Sequence, residues 1–286
     1  MRYSITLSYS GAGFCGWQRQ PSAPSVQECL EDALGKLLGT AVEVIGAGRT
    51  DTGVNAIGYV ACFDGPEGLA ADDFRYKLNA ILPRSVVVSA VAPAAPDFHA
   101  RFDARRREYT YFLHRAKDPF VEAFSWQCGY PGLDFDAMNR AASLLVGTHD
   151  FSCFEKVGAD NKTSVCTVFE AFWQAYTPSH VGIMGNTVIP SEATVIPSEA
   201  KESIYWYFRI GADRFLRNMV RAIVGTLIEV GRGKRSLDDF ASLILPADEP
   251  GQGSLSAPLP PHTRPLRSLA GESVPGHALF LSKVEY

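Results

Sequence analysis

Hydrophobic and polar positions alternate at the start of the chain, in the segment RYSITLSYS at positions 2–10. Successive side chains of a strand point to opposite faces of a sheet, so this period of two predicts a half-buried first strand. After a glycine-rich turn, leucine and alanine recur at helical spacing. Ser25 and Glu28 have the spacing of a capping box, and Gly39 follows the last apolar residue. A helix is therefore predicted between Ser25 and Gly39.

The same periodicities predict further elements along the chain. In the first part these are strands at 42–45, 57–63 and 86–91 and a helix at 72–82. In the second part they are strands at 108–114, 165–176, 204–210 and 278–286 and helices at 135–146 and 214–230. The first part has the order βαββαβ and the second part nearly repeats it, which is typical of ferredoxin-like folds. We therefore expect an α+β protein of two ferredoxin-like halves, residues 1–103 and 104–286.

Two segments interrupt this pattern. The first contains a perfect tandem heptapeptide, TVIPSEA, at positions 187–200. Two copies are too few for a coiled coil and each contains a proline, so we expect an inserted loop at 185–202. The second, at 246–275, is rich in proline, glycine and serine and is expected to run irregularly over the surface.

Composition limits the possible classes of protein. The chain has 286 residues, of which 46% are hydrophobic, and its first residues lack the apolar run of a signal peptide. No segment is apolar over the length needed to span a bilayer, so a cytoplasmic location is expected. The six cysteines form no C-x-x-C pair and the six histidines no H-x-x-x-H, which predicts reduced thiols and no metal site. The net charge of −4 argues against a surface that clamps nucleic acid over its whole extent.

The most specific local pattern surrounds Asp51, in the tripeptide Asp51-Thr52-Gly53 that aspartic proteases also use. Such a protease needs two carboxylates that share a proton, and this chain has one D-T-G, so a second copy of the chain would have to supply the other. Arg49 lies two residues before Asp51 and would keep its carboxylate ionised, which opposes a shared proton. A dimeric protease is therefore the weaker alternative.

A single ionised aspartate beside an arginine suits nucleophilic or general-base chemistry. The glycines that surround Asp51 imply that another group approaches the backbone closely. A phosphate-binding loop is disfavoured, because no lysine follows and a central aspartate would repel phosphate.

Basic residues are concentrated in a few places despite the negative net charge. The runs RFDARRR at 101–107 and GRGKR at 231–235 suit the phosphates of a folded RNA. The predicted helix at 214–230 would carry three arginines on one face and apolar residues on another. The candidate phosphate contacts are Arg105, Arg106, Arg214 and Arg217.

Five segments together resemble the tRNA pseudouridine synthase A family. They are GRTDTGVNA at 48–56, FCGWQRQP at 14–21, FHARFDARRREYTYFLH at 98–114, FLRNMVRAIVGTLIEVGRGK at 215–234 and GHALFLSKVEY at 276–286. The chain departs from the family pattern at Ser10, Thr52 and Asn55, where aspartate, a small residue and histidine are usual. The motif aspartate and arginines are retained, so the same reaction class is expected.

The resemblance implies a pseudouridine synthase fold, with an extended antiparallel sheet and a central cleft. It implies that Asp51 is the catalytic carboxylate, that Arg49 helps to extrude the target uridine, that Tyr109 stacks on the flipped base and that Arg221 contacts Asp51. The implied substrate is the anticodon stem-loop of tRNA, at positions 38, 39 and 40, bound by a homodimer without metal or cofactor. A catalytically silent RNA-binding factor on the same scaffold is the other alternative.

Overall fold

The computed structural model describes residues 1–158, 163–184, 203–246 and 267–286. The chain divides into two compact units, Met1–Thr110 with Leu279–Tyr286 and Tyr111–Ala278. The predicted inserted loop at 185–202, with its tandem repeat, lies outside the described residues. The same holds for positions 247–266 of the irregular segment.

The first unit is built from both ends of the chain. Its elements are β1 (Arg2–Tyr9), α1 (Val26–Leu38), β2 (Val44–Gly46), β3 (Asn55–Asp64), α2 (Ala71–Ile81), β4 (Val86–Pro93) and β11 (Leu279–Glu285). Strand β5 (Arg106–His114) begins in this unit and ends in the second. The sequence analysis placed the last strand with the second half, whereas β11 pairs in parallel with β3 of the first unit.

The sheet of the first unit has the strand order β2-β3-β1-β4, and each of these pairs is antiparallel. Strand β1 alternates between half-buried and buried residues along its length, as its sequence period predicted. Its apolar face lies in a core with residues of α1 and α2, among them Leu30, Leu34, Phe74 and Leu78. Helix packing on one face of this sheet thus explains the strict alternation of β1.

Helix α1 begins and ends where its sequence predicted. The Ser25 side chain accepts a hydrogen bond from Glu28 N at 3.3 Å, and Gly39 ends the helix in the left-handed region at φ 71°. Both features satisfy backbone groups that have no partner within the helix.

The elements of the second unit are β6 (Trp126–Gln127), α3 (Phe135–Ser143), β7 (Gly147–Asp150), β8 (Val165–Ala175), α4 (Ser179–Met184), β9 (Tyr205–Ala212), α5 (Met219–Gly231), α6 (Leu237–Ala241) and β10 (Leu245–Pro246). The strands follow the order β10-β7-β8-β9, and each of these pairs is antiparallel. Strands β6, β7 and β10 and helices α4 and α6 were not predicted, because elements of two to six residues are too short to show a period. The protein is therefore of mixed α+β class with mostly antiparallel sheets, as predicted.

Helix α5 begins at Met219, five residues later than predicted. Asn218 precedes it in the left-handed region at φ 66°, a conformation that asparagine tolerates better than most residues. Arg214 and Arg217 consequently lie outside the helix, and the predicted three-arginine helix face is wrong. The helix is buried on nearly all sides, with Arg221 and Glu229 only half-buried.

The described end of the irregular segment packs against α5 and does not simply run over the surface. Gly271 N donates to Thr226 Oγ1 at 2.9 Å, and Ala270 and Val274 are buried. A Cβ atom at Gly225 would overlap the carbonyl oxygen of Glu272, so this glycine lets the segment approach the helix.

Candidate active site

The loop between β2 and β3 carries Arg49 and Asp51, and the segment between β1 and α1 supports it. Trp17 N donates to Thr50 O at 3.2 Å, and Gly53 N donates to Phe14 O at 3.4 Å. The two family-like motifs at 14–21 and 48–56 are thus adjacent parts of one structure.

Glycines of the supporting segment make this contact possible. Gly16 has φ 92°, and a Cβ atom there would overlap Thr50 O. A Cβ atom at Gly11 would overlap Val54 O. The sequence analysis expected a close approach to the glycines of the Asp51 loop, and the structure places part of that approach at the glycines of the facing segment.

Buried side chains fix the base of the Asp51 loop. Thr50 is buried, and its hydroxyl lies 2.9 Å from the hydroxyl of Tyr9. The Tyr59 hydroxyl donates to Gly48 O, and the Tyr59 ring stacks on Trp17 with ring centroids 4.2 Å apart. Burial raises the pKa of both Tyr9 and Tyr59, so these phenols are neutral.

Asp51 and Arg49 differ in exposure. Asp51 is half-buried whereas Arg49 is exposed. The expected pairing of these two side chains stays a prediction, while the exposed guanidinium is accessible to an RNA.

Tyr109 of β5 is electrostatically coupled to Asp51. Burial raises the pKa of Tyr109 above its usual range, the Asp51 carboxylate raises it further, and Arg107 opposes the shift. The ring also packs against the core of the first unit. The structure thus brings together the carboxylate and the aromatic ring that the resemblance assigned to one site, with the phenol neutral.

Arg107 is a site residue that the sequence analysis missed. Its guanidinium donates to Ala47 O at 3.0 Å and to Ala104 O at 3.0 Å, and burial lowers its pKa. It therefore ties β5 to the entrance of the Asp51 loop. A signal was available: Arg107 directly precedes the strand predicted at 108–114 and lies two residues before Tyr109, so in an extended chain the two side chains share a face.

Asn55, a departure from the family pattern, has a structural role here. Its side chain is 2% exposed; Oδ1 accepts from Gly11 N at 2.8 Å, and Nδ2 donates to Leu279 O at 3.4 Å. Asn55 thus connects the end of the Asp51 loop to the supporting segment and to β11.

The predicted phosphate-binding arginines differ in their availability. Arg105 is exposed, whereas Arg106 is half-buried with its guanidinium 3.9 Å from the Glu108 carboxylate. In the second unit, Arg217 is exposed and Arg214 half-buried. Contact of all four with RNA stays a prediction.

Arg221 is held by the segment that packs on α5. Its Nε donates to Val274 O at 2.7 Å. Burial raises the pKa of the neighbouring Tyr111, and the positive charge of Arg221 opposes that shift. The predicted contact of Arg221 with Asp51 stays a prediction.

The described residues contain no group of three or more histidine, cysteine, aspartate or glutamate side chains placed to hold a metal ion. All six cysteines are free thiols, four of them buried. In the described ranges no helix is long and apolar enough to cross a membrane.

Comparison with known proteins identifies the family of this chain. A family model described as tRNA pseudouridine synthase matches residues 5–103 and 141–286, which include the Asp51 loop, α5 and β11. The chain belongs to the tRNA pseudouridine synthase family. The membership inferred from the five motifs is thereby confirmed.

Relatives of this family match along the whole chain. The tRNA pseudouridine synthase A of Porphyromonas gingivalis is 41% identical over 100% of this chain and 97% of its own length. That of Bacteroides fragilis is 42% identical, over 100% and 96% respectively. That of Bacteroides thetaiotaomicron is 43% identical, over 100% and 90%. The pseudouridine synthase family thus accounts for the full length of the chain.

Proposed function

We propose that this protein isomerises uridine to pseudouridine in tRNA, with Asp51 as its catalytic carboxylate. The observation that carries the proposal is the half-buried Asp51 on a firmly held loop beside the half-buried ring of Tyr109, in a chain of this family. The target positions are 38, 39 and 40 of the anticodon stem-loop, and the protein acts as a cytoplasmic homodimer without cofactor or metal. The ferredoxin-like interpretation is supported by the antiparallel strand order β2-β3-β1-β4 of the first unit.

Uridine and pseudouridine are isomers, so the reaction neither adds nor removes atoms or electrons. The bond between the ribose C1′ and N1 of uracil breaks, the base rotates, and C1′ bonds to C5. The proton that C5 loses is balanced by the proton that N1 gains. An ionised Asp51 either attacks the substrate or activates it, and returns unchanged at the end of the cycle.

The residues around Asp51 prepare a flipped base for this chemistry. Chemistry on a paired or stacked base requires its extrusion, and the exposed Arg49 is placed in the loop where it can contact the RNA during this step. Tyr109 offers a neutral aromatic ring on which uracil stacks. Arg221 orients Asp51 from its position on α5.

The test is incubation with an unmodified tRNA transcript, without metal or nucleotide, followed by carbodiimide treatment and primer extension to map pseudouridine. We expect modification at positions 38–40 by the intact protein and none by Asp51→Asn, with unfolding temperature and tRNA affinity retained because Asp51 lies in a polar loop. Activity of Asp51→Asn near the parent level would contradict its catalytic role. An intact protein that binds tRNA but forms no pseudouridine would favour the silent RNA-binding alternative.

A further inference from the structure

An exposed aromatic ring, Phe102, lies in the turn between β4 and β5 of the first unit. Its relative exposure is 73%, although an apolar ring of this size is usually buried. A single exposed ring is common on protein surfaces and does not by itself indicate a ligand. Its surroundings are what distinguish Phe102.

The turn that carries Phe102 is anchored on both sides. Arg2 Nη1 donates to Phe98 O at 2.9 Å, and the Tyr286 hydroxyl donates to Ala100 O at 2.8 Å. Arg107, which also binds the entrance of the Asp51 loop, donates to the carbonyl oxygens of residues 101 and 104. The ring is therefore presented by a preorganised turn that shares one guanidinium with the candidate active site.

His99 supports one face of the Phe102 ring. The two ring centroids are 4.2 Å apart, and His99 Nδ1 accepts from the backbone N of Arg101 and of Phe102 at 3.2 and 3.3 Å. Asp103 Oδ2 accepts from His99 N at 2.8 Å, so the acidic side chain of the turn is used internally. Phe102 nevertheless remains 73% exposed, so most of its ring surface is accessible.

One cation lies over this ring, and a second is close to it in the sequence. The Arg101 guanidinium carbon lies 5.6 Å from the Phe102 centroid, and Arg105 is exposed nearby in the chain. Neither arginine forms an ion pair with any residue that the structure describes. An exposed aromatic ring with available cations beside it is the arrangement by which proteins hold an unpaired nucleotide, through stacking and phosphate contacts.

We infer that Phe102 stacks on a base of the tRNA other than the target uridine, while Arg101 and Arg105 bind the neighbouring phosphates. The inference rests on tRNA as the substrate. Tyr76 of α2 shows why exposure is insufficient: it is 72% exposed, but the adjacent Arg75 and Lys77 are paired with Asp72 and Asp73 at 3.6 and 2.7 Å. Tyr76 is therefore a matched control.

The first measurement is the tRNA dissociation constant of the full-length protein and its variants. Loss of one base stack in Phe102→Ala should weaken binding by about 5- to 100-fold without altering the salt dependence. Phe102→Trp should restore binding, whereas Phe102→Leu, which is apolar but cannot stack, should not. Arg101→Ala should instead lower the log–log salt slope by about one. Tyr76→Ala should bind like the parent protein.

A second measurement identifies the base. Single abasic nucleotides are placed in turn through the anticodon stem-loop, and each RNA is titrated with the parent protein and with Phe102→Ala. At the stacked position the abasic substitution should weaken binding to the parent but not to Phe102→Ala, because the stack is already absent.

Any of three results would overturn the inference. Phe102→Ala could bind tRNA as tightly as the parent, or Phe102→Leu could do so. Alternatively, every abasic substitution could weaken binding to the parent and to Phe102→Ala equally. Failure of the proposed function is seen separately, in the modification assay of the intact protein. If the intact protein formed no pseudouridine but one abasic position still depended on Phe102, the proposed function would be wrong and the stacking site would stand.

Discussion

At the scale of single residues, the charge of Arg107 is used inside the protein. Its guanidinium donates to the carbonyl oxygens of Ala47 and Ala104 from a half-buried position, and burial lowers its pKa. Arg105, two residues earlier, is exposed. Neighbouring arginines in one basic run thus have different roles, one structural and one available to a polyanion.

This difference predicts the outcome of alanine substitution. Arg107→Ala leaves buried carbonyl oxygens without donors, so the free energy of unfolding should fall by about 2–4 kcal/mol, with a loss of turnover as the Asp51 loop loosens. Arg107→Lys keeps the charge but not the planar fork, and should recover only part of the stability. Urea unfolding measures both, with Arg105→Ala as the control that should unfold like the parent. Equal stability of Arg105→Ala and Arg107→Ala would contradict the assignment.

The sequence identified Asp51 and Tyr109 but not Arg107. The motif around Asp51 is long and specific, whereas the run Arg105-Arg106-Arg107 offers three chemically identical residues. Which of them is internal depends on where β5 begins and on the path of the chain between β2 and β3. Strand alternation from Tyr109 places Arg105 and Arg107 on one face and Arg106 on the other, so the choice between Arg105 and Arg107 requires the fold.

At the scale of elements, the segment between β1 and α1 packs against the Asp51 loop and supports it. Two glycines of this segment distinguish the effect of a left-handed backbone from that of close packing. Gly13 and Gly16 have φ values of 86° and 92°. A Cβ atom at Gly16 would overlap Thr50 O. A Cβ atom at Gly13 would have no described atom within 4 Å apart from those of its adjacent residues. Both glycines have a left-handed backbone, but only Gly16 lies in close contact with the Asp51 loop.

Gly13→Ala should therefore cost about 1 kcal/mol, the strain of a left-handed alanine, and leave turnover intact. Gly16→Ala should cost several times more and reduce turnover strongly, because the added methyl group displaces the backbone next to Asp51. Thermal unfolding and pseudouridine mapping of the two variants provide the comparison. Full activity of Gly16→Ala would show that the segment between β1 and α1 does not position the Asp51 loop.

Helix α5 shows what apolar periodicity can and cannot predict. The period identified the helix and its apolar character, but it gave no sign that Asn218 adopts a left-handed conformation before Met219. It also gave no sign that the segment at 270–274 lies on the helix, because that contact depends on a glycine, Gly225, which carries no side chain to enter a pattern.

Gly225 provides a test of this packing. In a free helix an alanine is more stable than a glycine by about 1 kcal/mol. At Gly225 the methyl group would overlap Glu272 O, so the sign should reverse and Gly225→Ala should be destabilised. Gly233→Ala, at φ 66° with open space among the described atoms, is the control and should show only the smaller backbone cost. A stabilised Gly225→Ala would mean that the segment can leave the helix without loss.

At the scale of the whole molecule, a net charge of −4 must be reconciled with a polyanionic substrate. Some cations are paired with carboxylates, as in Arg2 with Asp64 at 2.8 Å, whereas others, such as Arg49 and Arg105, are exposed and can meet an RNA locally. Affinity for tRNA should then depend on a small number of identifiable side chains, because the overall field is not attractive.

The last prediction separates cations proposed to bind RNA from Arg221, which is proposed to take part in catalysis. Arg105→Ala should weaken tRNA binding and lower the log–log salt slope by about one, with turnover at saturating tRNA retained. Arg106→Ala should lower the slope less, because the Arg106 guanidinium is already 3.9 Å from Glu108. Arg221→Ala should leave the slope unchanged and lose turnover, since Arg221 is half-buried and held by Val274 O. Affinity at two salt concentrations and single-turnover rates distinguish these outcomes; a reduced salt slope for Arg221→Ala with normal turnover would move Arg221 from the catalytic group to the RNA-binding surface.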